Sequence, residues 1–301
     1  MRIIATIMVA AMIAVPASSA PLQVPFDFSR SAIELQVTIR GKPLSVLLDT
    51  GVDPSAIDAA QAEVLGLPID RKAGGEVSGG GDAEQAAAFP SSIDRLVIAG
   101  RAFPAFDALA IDMNGVSTSY GRKLDAILGY SFLSDKIVMI DYPRRTLGIL
   151  DRAPDAPSMG KACRTRWRTP LRTADSFPVI SKFRFGSATA PITIDTGSNG
   201  GIALYQAALQ LPGVRAALSE KAAITYAGAR GGAKATSYTL RAPVGFGPFT
   251  LPAGEVVTVG KDAGSVKTQV ANIGNKLFAA MKVKMLLDYR ARTMTFYGDC
   301  R

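Results

Sequence analysis

The chain has 301 residues, of which 48% are hydrophobic and 20% charged, and it carries a formal net charge of +9. Such proportions belong to an ordered protein with a sizeable core, and the length suits one bilobal unit or two domains, because single cores rarely grow much beyond about 250 residues. It has no histidine and only two cysteines, which excludes Ser-His and Cys-His nucleophile pairs, His-ligated zinc and four-thiolate metal sites, and leaves carboxylates or lysines to do any chemistry.

The N-terminus reads as an export signal. Met1 and Arg2 precede an apolar run from Ile3 to Val15, then Pro16 and the small residues Ala17 to Ala20. The run is short of the roughly 20 apolar residues needed to span a membrane, and Ser18 and Ala20 fit cleavage after Ala20. An exported protein, periplasmic or secreted, without stable membrane insertion is expected, and residues 1–20 are assigned to the signal. In an oxidising compartment Cys163 and Cys300 could pair, closing a long loop worth about 3 to 5 kcal/mol on the chain-entropy argument; two separate buried thiols are the alternative.

Beyond the signal, Ile33 to Ile39 alternates like a strand, Arg40-Gly41-Lys42-Pro43 makes a turn, and Leu44 to Leu48 runs apolar into Asp49. Ala59 to Leu65 reads as a short helix, capped by Asp58 and stopped by Gly66 and Pro68. A Gly-rich stretch, Gly74 to Gly81, follows, then a hairpin about Ala99-Gly100-Arg101, the triplet Ile127-Leu128-Gly129, a helical turn at Tyr130 to Ser134 and a strand from Ile137 to Asp141. Residues 151–161 hold two prolines and a glycine and read as a linker. After it come a strand over Val179 to Phe185, Thr193-Ile194 running into Asp195, a helix candidate around Leu204 to Leu209 and a loose Gly segment from Gly228 to Gly232.

The second half repeats the first. Val46-Leu47-Leu48-Asp49-Thr50-Gly51 answers Ile192-Thr193-Ile194-Asp195-Thr196-Gly197 at an offset of 146 positions. Ala126-Ile127-Leu128-Gly129 answers Ala271-Asn272-Ile273-Gly274 at 145, and Ile140-Asp141-Tyr142 answers Leu287-Asp288-Tyr289 at 147. Three anchors at nearly one spacing define a duplication, with lobes assigned to residues 21–152 and 160–301.

An aspartate ending an apolar strand and followed at once by Thr-Gly is a poor way to finish a surface strand, although a single copy could be an ordinary turn. Two copies change the balance. If the halves pack about a pseudo-twofold axis, both carboxyls meet, cannot both ionise easily, and share a proton as an acid and a base together.

The two Asp-Thr-Gly motifs, each followed about 80 residues later by an apolar-apolar-Gly or similar triplet, resemble those of the pepsin and retropepsin superfamily of aspartic peptidases. The Ile127-Leu128-Gly129-Tyr130-Ser131-Phe132-Leu133 and Ile140-Asp141-Tyr142-Pro143 segments look especially like bacterial retropepsin-like aspartyl proteases, present here twice in one chain, over about residues 30–298. The resemblance implies an all-β, bilobal acid-protease fold, with two pseudo-twofold related β-barrel-like lobes and a few short helices. It further implies an aspartic endopeptidase with Asp49 and Asp195 as the catalytic pair. Thr50 and Thr196 would cross-link the active-site loops, Gly51 and Gly197 would let backbone approach the dyad, Ser198 would support Asp195 by a hydrogen bond, and Gly129 and Gly274 would lie beneath the loops. Gly79, Gly80 and Gly81 are the flap candidates, with Tyr226 near the second Gly segment. Val52, where pepsin-like enzymes carry Ser or Thr, and Asn272, in place of an apolar residue, depart from the pattern.

The expected partner is a peptide or protein substrate, acted on by a monomer without metal or cofactor. The basic residues are scattered, the densest group being Arg164, Arg166, Arg168 and Arg172. They form no recognisable nucleic-acid module, so no nucleic acid is expected. A non-catalytic peptide- or ligand-binding protein of the same fold is the rival reading.

Overall fold

The structure is a computed structural model that describes residues 22–77, 79, 86–150, 162–174, 176–260 and 270–301. The expected signal at 1–20, the expected linker at 151–161, Gly80 and Gly81 lie outside the described residues. Strand makes up 53% and six short helices 14% of the structure, so the all-β expectation holds. The lobes are open sheets, however, and neither closes into a barrel.

A six-stranded sheet joins the halves. Its order is Leu22–Pro25, Thr146–Leu150, Ile137–Asp141, Lys284–Asp288, Thr293–Cys300 and Cys163–Pro170. The two central strands, one from each half, pair antiparallel with Met139 opposite Leu286. Those residues are repeat equivalents at the 147-position offset, so the pseudo-twofold axis passes through their pair. Both strands are buried along their whole length, which is why they read as near-continuous apolar runs rather than alternating ones. Cys163–Pro170, at the sheet's edge, alternates covered or half-covered residues with exposed ones, as a one-faced strand should. Cys163 lies opposite Cys300 in register, and the two form a disulfide, as expected.

Each lobe adds a sheet, and the duplication extends through nine strands of it; the second lobe's sheet has a tenth strand, Arg172–Ala174, paired to Phe177–Phe185 off the main path. In the first lobe the order is Gly75–Val77, Ala86–Ile93, Phe106–Ile111, Ser55–Asp58, Ala126–Leu128, Lys42–Leu48, Glu34–Ile39, Leu96–Ile98 and Arg101–Ala102. In the second it is Leu218–Gly228, Gly231–Leu240, Val256–Val259, Ile202–Leu204, Ala271–Ile273, Ala188–Ile194, Phe177–Phe185, Val244–Phe246 and Phe249–Leu251. The nine places match one to one, far beyond the three sequence anchors. One hydrophobic core runs from Val24 and Leu35 in the first half to Phe278 and Phe296 in the second.

Local expectations hold where short-range chemistry decides. Helix Ala59–Leu65 begins at Asp58, whose side chain accepts from the Gln61 N–H, and ends at Gly66 with φ 67°. The expected helix about Leu204 to Leu209 is shorter: Ile202–Leu204 is a strand because it pairs with Ala271–Ile273, and only Gln206–Leu209 is helical. The loose segment expected at Gly228 to Gly232 is instead the tip of the longest hairpin, where strands of 11 and 10 residues turn back at Ala229-Arg230. Helix Asn114–Tyr120 carried no signal that sequence reasoning used. No described helix is long and apolar enough to cross a membrane.

Candidate active site

Both aspartates are set by the same construction. Lys42–Leu48 pairs in parallel with Ala126–Leu128, and the Asp49 N–H continues the ladder by donating to the Leu128 carbonyl at 3.0 Å. Ala188–Ile194 pairs in parallel with Ala271–Ile273, and the Asp195 N–H donates to the Ile273 carbonyl at 2.9 Å. Each aspartate is thus the first residue past a buried apolar strand, held in place by the strand that its own repeat's triplet supplies.

The threonines then tie the two loops to each other. The Thr50 N–H donates to Thr196 Oγ1 at 3.0 Å, and Thr50 Oγ1 donates to the Ile194 carbonyl at 2.9 Å. The Thr196 N–H donates to Thr50 Oγ1 at 3.1 Å, and Thr196 Oγ1 donates to the Leu48 carbonyl at 2.8 Å. All of these groups are buried, and each hydroxyl serves as donor and acceptor at once, so neither can be removed without stranding a backbone N–H. Thr50→Val or Thr196→Val should therefore cost about 1 to 3 kcal/mol of stability, the range for leaving a buried polar group unpaired, and should lower any activity of the site; thermal melts and the rate on one substrate check both.

The glycines allow the close approach that this cross-linking demands. A Cβ on Gly197 would stand 2.1 Å from Asp49 Oδ2, and one on Gly51 would stand 2.8 Å from Asp195 Oδ1. Gly129 and Gly274 lie beneath the loops as expected: a Cβ there would meet the Val52 and Ser198 carbonyls at 2.6 and 2.7 Å.

Each carboxyl thus lies against the glycine of the opposite loop, and the two aspartates act on each other electrostatically. Burial pushes Asp49 well above the usual carboxylate range, and the Asp195 charge adds to that rise. Burial also raises Asp195, but hydrogen bonds from Asn272, Asp49, Gly197 and Ser198 oppose it. Each aspartate keeps part of its surface exposed, so solvent can reach the pair. Burial and mutual repulsion therefore disfavour ionisation of both members at once.

The hydrogen bonds to the two carboxyls are unequal. Asp49 Oδ1 accepts from the Gly51 N–H at 2.6 Å. Asp195 Oδ1 accepts from the Ser198 N–H at 3.0 Å, and Asp195 Oδ2 accepts from Asn272 Nδ2 at 2.7 Å. Ser198 thus acts through its backbone, while its hydroxyl accepts from the Gly200 N–H at 3.3 Å. The side-chain hydrogen bond expected from Ser198 comes from Asn272, a residue noted in the sequence only as a departure from pattern.

Further residues around the pair were not singled out in the sequence. Asn275, fully buried, donates from Nδ2 to the Thr196 and Ser198 carbonyls at 2.7 and 3.1 Å, and accepts from the Tyr142 hydroxyl of the first lobe at 2.9 Å. Tyr120, at the end of helix Asn114–Tyr120, is raised above the normal phenol range by burial and by the charges of Asp49 and Asp195, so it stays neutral beside them. Asn275 could have been found as the residue after the second Gly triplet; Tyr120 carried no such signal.

Ala229, at the tip of the second lobe's long hairpin, packs against a first-lobe cluster that includes Leu47, Met113 and Val116, against which Val52 and Tyr120 also pack. A Cβ on Gly115 would stand 2.3 Å from the Ala229 carbonyl, so helix and hairpin touch backbone to backbone. Of the expected flap residues, Gly79 is described, and a Cβ there would lie 3.2 Å from Arg230 Cγ. The first lobe's Gly-rich segment therefore reaches the tip of the equivalent, longer hairpin of the second.

Residues 35–132 match the family model described as aspartyl protease. The span takes in Asp49, Thr50, Gly51 and Gly129, the parts from which the first half of the site is built. A search of curated proteins returned no match. The match supports a retropepsin-like aspartic protease, and the strand-by-strand duplication relates the second lobe to the matched one.

Proposed function

We propose that the protein, which carries an aspartyl protease domain in its first lobe, is a single-chain aspartic endopeptidase with Asp49 and Asp195 as its catalytic residues. The observation that carries this reading is the reciprocal threonine cross-link, which ties the Asp49 and Asp195 loops together across a pseudo-twofold axis. A binding surface has no chemical need for two such carboxyls, because burying like charges together is costly unless a proton is shared.

In this reading a water sits between the carboxyls. The ionised carboxyl removes a proton from the water as its oxygen attacks the scissile carbonyl carbon, while the protonated carboxyl hydrogen-bonds the carbonyl oxygen and gives up its proton to it. The resulting tetrahedral diol collapses as the C–N bond breaks and the amine takes the proton that came from water. No covalent enzyme intermediate forms. The long hairpin of residues 218–240, together with the Gly79 segment, covers the site from above, and lobes 21–152 and 160–301 work within one monomer. The disulfide fits an exported protein, and we assign residues 1–20 as the signal that directs it to the periplasm or the exterior.

Incubation of the mature protein with a peptide library from about pH 3 to 8, the range in which a shared-proton dyad titrates, tests the proposal. Cleavage of internal peptide bonds is expected, with one oxygen of each new carboxylate drawn from labelled water. A folded protein that cleaves nothing at any pH would instead be a binding protein of the same fold.

A further inference from the structure

The two halves of the site sit on backbones related by the pseudo-twofold axis, yet the side chains beneath the two aspartates differ in kind. In the first lobe the parallel pair that leads into Asp49 sets Leu47 beside Ile127. The same place in the second lobe sets Thr193 beside Asn272. An apolar cross-strand pair in one half is a polar pair in the other.

The polar pair is organised. Thr193 Oγ1 lies 3.2 Å from Asn272 Oδ1 and 3.2 Å from the Ala271 carbonyl, as donor to either. With its Oδ1 placed to accept from the Thr193 hydroxyl, Asn272 presents Nδ2 to Asp195, where it donates to Oδ2 at 2.7 Å. Both residues are buried. The next pair repeats the bias: Asn275 anchors the Asp195 loop through the Thr196 and Ser198 carbonyls, whereas its first-lobe counterpart is Tyr130, stacked edge-on to Tyr289.

A donor aimed at a carboxylate oxygen stabilises the ionised form, since a protonated carboxyl no longer needs it. Resting on the dyad reading above, we propose that Asn272, oriented by Thr193, is a positioning residue that makes Asp195 the ionised base and Asp49 the protonated acid. In the attack step Asp195 then takes the water's proton while the new C–O bond forms, the carbonyl π pair moves onto its oxygen, and Asp49 supplies that oxygen's proton. On collapse the proton on Asp195 passes to the departing nitrogen and Asp49 regains one from the diol. The other titratable groups acting on the pair are Tyr120, which faces both carboxyls, and Tyr289, which acts on Asp49; burial keeps both phenols neutral, so neither reverses the assignment.

The variants are Asn272→Leu, which places an apolar residue where the first lobe already has Ile127, and Thr193→Val, which keeps the shape and removes the hydroxyl. In Asn272→Leu the acid limb of the kcat/KM profile is expected to move up by about one pH unit, the size set by loss of one charge-assisted hydrogen bond. KM should stay nearly constant and kcat should fall about tenfold on the acid side. Thr193→Val should shift the limb the same way by less. An unchanged acid limb in folded Asn272→Leu overturns the proposal. Infrared titration of the carboxyls in the same proteins needs no turnover and separates the two readings. A shifted titration in a chain that cleaves nothing retains the assignment of Asn272 and removes the peptidase; cleavage with neither limb nor titration shifted removes Asn272 alone.

Discussion

Asp49→Asn and Asp195→Asn are each expected to lower kcat/KM by about 10⁴-fold or more and, at neutral pH, to raise the melting temperature. Activity falls because the dyad works as a unit: an amide in either place can neither take the water's proton nor deliver one to the carbonyl oxygen. Stability rises because both carboxyls are held above the ordinary carboxylate range, burial being the largest cause. A group whose folded value is raised binds more protons in the folded than in the unfolded chain between the two values. The stability it lends is full below the unfolded value and is lost as pH rises through the folded one. As pH rises above the unfolded value the wild type progressively loses that contribution, while each variant has no titrating group at that position, so the variants gain on the wild type as pH rises. Near pH 3, below the unfolded value, the advantage should vanish. Calorimetry at the two pH values checks this, and equal melting at pH 7 would mean that the pair is not held under strain of charge.

Lys284→Ala is expected to cost about 3 to 5 kcal/mol, the loss found when one partner of a buried ion pair is removed. Lys284 Nζ lies 2.9 Å from Asp141 Oδ2, with 6% and 3% of the side chains exposed. The pair sits where Ile137–Asp141 and Lys284–Asp288 meet, with Asp141 opposite Lys284 in register. Asp141 Oδ1 also accepts from the Arg144 N–H at 3.0 Å, so removal of the lysine leaves half of a buried carboxylate uncompensated in the seam between the lobes. Asp141→Leu combined with Lys284→Leu should recover most of the loss, because no lone charge is then buried. Denaturant melts of the single and double variants measure the difference. A loss below about 1 kcal/mol in the single variant, the scale of exposed pairs, would show that the seam does not depend on it.

Much of this was legible in the chain because it is written in local or repeated patterns. Asp49-Thr50-Gly51 and Asp195-Thr196-Gly197 stand at one spacing, and the buried strands that lead into them read as apolar runs. Asp58 and Gly66 mark a helix by capping chemistry that acts within a few residues. Cys163 and Cys300 were the sole candidates for a disulfide. Other features gave no such sign. Asn272 looked like an irregularity in a triplet, and only the fold brings one end of its amide to Thr193 and the other to Asp195. Ser198 looked like a side-chain donor to that aspartate, yet the loop directs its hydroxyl to Gly200.

What the sequence determined by itself was the duplication, the strand-rich class and a candidate pair of carboxylates, because hydrophobic period, turn residues and motif spacing are properties of the chain alone. Tertiary structure decided the rest. The reciprocal hydrogen bonds of Thr50 and Thr196 join residues 146 positions apart, and the approach of each loop's glycine to the other's carboxyl, the reach of Ala229 onto Gly115 and the inequality of donors at Asp49 and Asp195 are likewise made across lobes or between strands distant in sequence. Such contacts depend on how two sheets meet about an axis, a relation that one-dimensional patterning leaves open until the halves have packed.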